Sequence, residues 1–169
     1  MIRHVMILSI LSIFCSTFSN RLCAQTTGVG AGIIVGGPTG MTAKFWTSGQ
    51  NAIDLSIGWS DTGQWTRFGN GNVYYYSQSL LHINADYVWH SFHAIKSTER
   101  FPLYYGAGLD FDSGNSAQTA FGLRAVGGIE WIPHSVPLDV FLELAPVIYL
   151  SPPAGLGLDA GFGARFFFH

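Results

Sequence analysis

The sequence predicts an all-β fold: an eight-stranded antiparallel up-and-down transmembrane β-barrel, preceded by a cleaved N-terminal signal peptide. Three observations predict it. From residue 28 onward the chain alternates apolar with small or polar residues in eight separate runs, the pattern of strands with one greasy face. Hydrophobic residues make up 48% and aromatics 15%, but charged residues only 11%, where soluble domains carry roughly 25%. Mean hydropathy is +0.27, yet nothing after residue 24 approaches the roughly 18 consecutive apolar residues of a membrane-spanning helix.

The first element is the export signal. Met1 to His4 is a short basic stretch, Val5 to Phe18 is apolar, and Leu22-Cys23-Ala24 before Gln25 forms a cleavage site. This divides the chain into a signal peptide, 1–24, and a single barrel domain, 25–169. Both cysteines, Cys15 and Cys23, fall in the removed part, so disulfides, thiol nucleophiles and Cys-ligated metals are excluded from the mature chain. Loss of Arg3 and Arg21 leaves six basic against ten acidic residues, a net charge of −4, with no basic patch for nucleic acid.

Eight strands follow. Gly28 to Gly36 carries Val29, Ala31, Ile33 and Val35 on one face and mostly glycine on the other, and Gly37-Pro38-Thr39-Gly40 turns the chain. Met41 to Thr47 and a third strand through Ile53, Leu55, Ile57 and Trp59 flank the turn Ser48-Gly49-Gln50. Residues 60–78, rich in Gly and Asn, read as the longest connection. The fourth strand, Leu80 to Ser91, is apolar at Leu81, Ile83, Ala85, Tyr87 and Trp89, and polar at His82, Asn84, Asp86 and His90. Strands at Leu103 to Asp112, Phe121 to Ile132, Leu138 to Tyr149 and Leu156 to Phe168 complete the set, the last apolar at every even position.

Two features place the apolar faces outward. The polar faces are rich in Gly and Ser, as a narrow interior requires. The apolar faces carry aromatics at their ends: Phe45, Trp89, Tyr105, Trp131, Phe166 and Phe168 at one rim, Trp59, Phe111 and Phe121 at the other. Counting connections from a periplasmic start puts 60–78 outside the cell, where barrel loops are long.

These alternating strands, closing on one that ends in phenylalanine, resemble the small eight-stranded outer-membrane barrels related to the transmembrane domain of outer-membrane protein A. The resemblance spans roughly residues 26–169, with Gly36 to Trp46 and Leu81 to Trp89 similar to segments of short uncharacterised barrel families. It implies an integral outer-membrane location, contact with lipid and lipopolysaccharide, insertion by the barrel-assembly machinery and a monomeric state. One departure is His169, which leaves Phe168 penultimate where the family's assembly signal usually ends on the aromatic.

The remaining candidates are weighed against simpler readings. Gly28-Val29-Gly30-Ala31-Gly32 lacks the strand before and helix after that a nucleotide loop needs. His82, Asp86 and His90 share a face but stand four residues apart, roughly 13 Å along a strand and too far for one metal, so lumen filling is expected. His90-Ser91 and His93 resemble the His and Ser of outer-membrane lipid A deacylases but fall at the wrong end. No catalytic residue, cofactor or metal site is expected. Trp65, Phe68, Tyr74, Tyr75 and Tyr76 form a candidate outer contact surface or an extension of the barrel wall.

The sharpest expectation is an interior ionic network. Hairpins centred on Gly49, Ala117 and Ala154 set Lys44 opposite Asp54, Asp110 opposite Arg124, and Glu143 opposite Arg165. The surplus acids Asp86, Glu130, Asp139 and Asp159 then need hydroxyls, histidines, water or a proton. The function expected is structural or interaction-based through the outer loops, without a wide pore. A soluble periplasmic lipocalin-like binding barrel and an outer-membrane lipid-modifying enzyme are the alternatives.

Overall fold

The computed structural model describes residues 26–67, 73–113, 119–150 and 155–168, and the side chains of all of these except 61–67 and 73–80. The expected signal peptide at 1–24 lies outside them. Eight strands form: β1 (Val29–Gly36), β2 (Thr39–Trp46), β3 (Asn51–Arg67), β4 (Val73–Ser91), β5 (Leu103–Ser113), β6 (Ala120–Trp131), β7 (Leu138–Tyr149) and β8 (Gly155–Phe168). Each pairs antiparallel with its sequence neighbours, and β8 returns to β1, closing the barrel in up-and-down order. Closure satisfies the backbone groups that an open sheet leaves at its edges.

The turns follow local chemistry. Gly36 adopts a φ of +135°, a conformation L side chains rarely take, and Thr39 Oγ1 accepts from Gly36 N at 3.0 Å. In the next hairpin Thr47 N donates to Asn51 O at 2.9 Å, while Ser48 Oγ accepts from Asn51 N at 3.1 Å. One ladder is interrupted. Between Arg124↔Val147 and Gly127↔Leu144 the register is continuous, but Pro146 has no N–H to contribute.

Alternation sorts the side chains without exception along β5: Leu103, Tyr105, Ala107, Leu109 and Phe111 are exposed, while Tyr104, Asp110 and Asp112 are buried. The exposed face of the barrel is apolar. Ile33, Met41, Ile57, Leu109, Leu123, Leu142, Leu144, Ile148 and Phe162 form its broad middle. Exposed Phe45, Trp89, Tyr105, Trp131 and Phe168 mark one end, and Trp59, Phe111 and Phe121 the other. Phe166, at the first of these ends, is only half-buried.

The largest departure from the sequence reading is the segment 60–78. Instead of a loop, β3 and β4 continue as a paired ladder through Trp65↔Tyr75 to Arg67↔Val73. Their barrel neighbours stop at Thr39↔Trp59 and Leu81↔Ser113, so this two-stranded extension projects beyond the barrel. Trp65, Thr66, Val73 and Tyr74 to Tyr76 are strong strand formers, and that preference carries the pairing as far as Arg67 and Val73. Phe68 lies outside the described residues, as do the side chains of Trp65, Tyr74, Tyr75 and Tyr76.

Candidate functional site: an ionic barrel interior

Inward positions alternate large charged groups with glycine. Arg124 stands opposite Gly108, Asp110 opposite Gly122, and Glu143 opposite Gly128 on one side and Gly161 on the other. An eight-stranded barrel has room only for such complementary volumes. Eight of the ten carboxylates line this interior: Asp54, Asp86, Asp110, Asp112, Glu130, Asp139, Glu143 and Asp159. Among the described residues, only Lys44, Arg124 and Arg165 face them with permanent positive charge, and His82 and His90 lie beside them. Buried ions are tolerated only when paired, so geometry decides whether this interior holds together.

Two clusters result. The basal one, away from the projecting hairpin, centres on Arg165 and Lys44. Arg165 Nε donates to both oxygens of Asp139 at 3.1 Å, Nη1 to Asp54 at 3.1 Å and Nη2 to Glu130 at 2.9 Å. Its guanidinium also stacks over Phe141, 4.0 Å from the ring centroid. Lys44 Nζ contacts Glu130 directly, Asp54 at 3.5 Å and His90 Nε2 at 2.9 Å. Because an ammonium only donates, His90 Nε2 accepts here, and Nδ1 carries the proton given to Gln50 O at 3.1 Å.

The second cluster lies toward the projecting hairpin and centres on Arg124. Its Nε is 3.1 Å from Asp86, Nη2 3.1 Å from Glu143, and Nη1 3.3 Å from Asp159 and 3.9 Å from Asp110. Tyr104 Oη donates to Glu143 at 3.1 Å and thereby links the clusters, since Lys44 Nζ lies over the Tyr104 ring at 5.2 Å. Beyond Arg124, His82 Nδ1 is 2.7 Å from Asp112 and Nε2 2.9 Å from Asp110, while Tyr149 Oη donates to Asp112 at 2.9 Å.

All six residues expected in the network, Lys44, Asp54, Asp110, Arg124, Glu143 and Arg165, are buried in the interior, but their pairing differs from the expectation. Lys44 does stand opposite Asp54. Arg124 stands opposite Gly108 rather than Asp110, a shift of two residues, and Arg165 opposite Asp139 rather than Glu143, a shift of four. Even shifts leave every residue on its own face, so alternation alone cannot distinguish these registers. Volume does for three of them: the structure sets Arg124, Asp110 and Glu143 each against a glycine, while Arg165 faces the shorter Asp139 in place of Glu143. Glu143 pairs instead with Arg124 across the β6–β7 seam.

Three contributors were missed. Asp112 reads only as the end of its strand, although its spacing of two from Asp110 carries the signal that it shares the inward face. Tyr104 and Tyr149 also face inward, and their hydroxyls satisfy surplus carboxylates. Conversely, His90 and Ser91 are not brought together: strand alternation puts buried His90 and exposed Ser91 on opposite faces, with His93 exposed in the following turn.

Comparison with protein-family models, with curated proteins and with solved structures returns no match to this chain. Its fold and interior define the class: a small eight-stranded antiparallel up-and-down β-barrel. Its interior is closed by buried ion pairs.

Proposed function

We propose that this chain is a small integral outer-membrane β-barrel, exported by a cleaved signal peptide at 1–24. Its role is structural or interaction-based, exercised through the end bearing the β3–β4 hairpin. The observation that carries this reading is the inverted polarity of the barrel, with carboxylates and guanidinium groups inside and large aliphatics outside. A soluble ligand-binding barrel needs the reverse, because a contiguous exposed apolar belt in water drives association. The belt has the right height. Phe121 and Trp131 end the apolar face of β6 ten residues apart, about 33 Å along the strand. A tilt of about 40° brings this to about 25 Å, the thickness expected of the apolar band.

The interior argues against a wide pore. Arg124, Arg165, Lys44, Phe141 and Phe167 fill it with side chains no more than 2% exposed. Lipid and lipopolysaccharide are the partners this surface suits, with the barrel-assembly machinery during insertion. The test is fractionation: the protein sediments with outer membranes, resists extraction by high salt or carbonate, and requires detergent to dissolve. Recovery in the soluble periplasmic fraction overturns the reading.

A further inference from the structure

The geometry points to a divalent transition-metal site at the hairpin end of the interior, in which His82 Nε2 and Asp110 bind the ion and Asp112 orients the ring from behind. Along one strand the spacing of His82, Asp86 and His90 forbids a shared metal. Across strands the outcome is different, because His82 of β4 stands opposite Asp112 of β5 and Asp110 lies two residues away on the same face. One donor atom from each of His82, Asp110 and Asp112 lies within 4.8 Å of the other two, and all three residues are buried.

Three observations separate this cluster from ordinary lumen filling. The first is the carboxylate behind the ring. Asp112 Oδ1 takes the Nδ1 proton of His82 at 2.7 Å, and Tyr149 holds the other oxygen of Asp112. A carboxylate behind a histidine in this way fixes the tautomer that leaves Nε2 free to bind a metal. The second is the pair of atoms in front. Nε2 and Asp110 Oδ2 are 2.9 Å apart, yet neither makes a hydrogen bond of acceptable geometry, and Oδ1 of Asp110 makes none either. His82 and Asp110 are 1% and 0% exposed, so water does not compensate them. No hydrogen bond in line joins the two atoms, and a cation shared between them satisfies both. A metal ion with bonds of about 2.0–2.2 Å to each accommodates the 2.9 Å separation off that axis.

The third observation is charge. Asp86, Asp110, Asp112, Glu143 and Asp159 are gathered around Arg124 and His82, and Arg124 already divides its donors among four of them. Asp159 Oδ2, 3.7 Å from His82 Nε2, provides a third donor after the imidazole nitrogen and Asp110. One imidazole with carboxylate oxygens suits a first-row divalent ion such as Zn²⁺, Co²⁺ or Mn²⁺. This inference stands whether or not the outer face meets lipid.

The test uses the whole protein, folded in detergent and stripped with chelator, with Zn²⁺ followed by calorimetry and Co²⁺ by its visible absorption. One equivalent saturates the wild type. Affinity falls at least tenfold in His82→Asn and Asp110→Asn, and about 10- to 100-fold in Asp112→Asn, the usual loss for an orienting carboxylate. His90→Asn, which changes the other buried histidine, binds as wild type. No binding by the folded wild type, or undiminished binding by a folded His82→Asn, overturns the site. Where His82→Asn does not fold, X-ray absorption of the Zn²⁺-loaded wild type decides: one imidazole nitrogen among oxygens supports the site, and an all-oxygen shell refutes it.

Discussion

Arg165 shows what a single interior residue does in this barrel. Its guanidinium reaches Asp139, Asp54 and Glu130, which come from three different strands, so its loss leaves three carboxylates short of a counter-charge. Removing one partner of a buried pair costs about 3–5 kcal/mol. Arg165→Met is therefore expected to destabilise the barrel by about that amount in a urea titration in detergent. A double-mutant cycle tests the pairing itself. Arg165 and Asp139 show coupling above about 0.5 kcal/mol, whereas Arg165 and Glu143, on different clusters, are additive within that margin. Glycines provide the opposite probe. A Cβ at Gly128 meets the Tyr104 ring and the Leu142 carbonyl, while a Cβ at Gly49 meets nothing within 4 Å. Gly128→Ala is expected to cost about 1–3 kcal/mol by overpacking. Gly49→Ala stays within about 0.5 kcal/mol, as surface changes do. Equal effects at the two sites contradict the inward facing of Gly128.

At the scale of the element, β8 offers a depth gauge. Phe162 stands opposite Leu142, well inside the apolar belt, whereas Phe166 stands opposite Leu138, where β7 begins. In a lipid bilayer, arginine on the outer face costs about 2–4 kcal/mol at the midplane and about 0–1 kcal/mol near an interface. Phe162→Arg is accordingly expected to be the more damaging of the two when refolding into vesicles is measured. Indistinguishable costs at the two depths contradict the membrane placement of β8. The same strand shows how far alternation carries. Reading β8 as apolar at every even position assigns Asp159 and Arg165 to the interior, and both lie there, Arg165 buried and Asp159 half-buried. The β3–β4 connection shows the limit. Its Gly and Asn residues mark a turn somewhere between 60 and 78, but where pairing stops depends on a balance of strand preference against turn preference. That balance falls late, leaving only 68–72 between the strands.

Over the whole molecule, stability comes from two sources that reinforce each other: a closed hydrogen-bonded ladder and an interior cross-linked by ions from nearly every strand. Within the barrel wall the ladder has no edge from which to fray, so opening must break several buried pairs together. Unboiled protein in mild detergent is expected to migrate on a gel as a compact, faster band and to shift to its full apparent mass on boiling. Identical migration of the two samples, with free solubility in the absence of detergent, refutes the closed membrane barrel. In Arg165→Met the shift is expected at a lower temperature than in wild type.

Strand number, strand order and the face of most side chains within the strands were legible from the sequence, because a pleated strand alternates with period two and that pattern is local. The inward position of Lys44, Asp54, Asp110, Arg124, Glu143 and Arg165 follows from it directly. Partner choice was not legible. Registers differing by two or four residues present identical faces, so Arg165 opposite Glu143 and Arg165 opposite Asp139 are equivalent to any local rule. The choice between them falls to packing across the lumen, where Phe141 lies under the Arg165 guanidinium and Gly161 makes room for Glu143. The meeting of His82 with Asp110 and Asp112 depends likewise on the register of β4 against β5. Alternation is a property of one strand, whereas register, and with it every contact in the interior, belongs to the closed barrel.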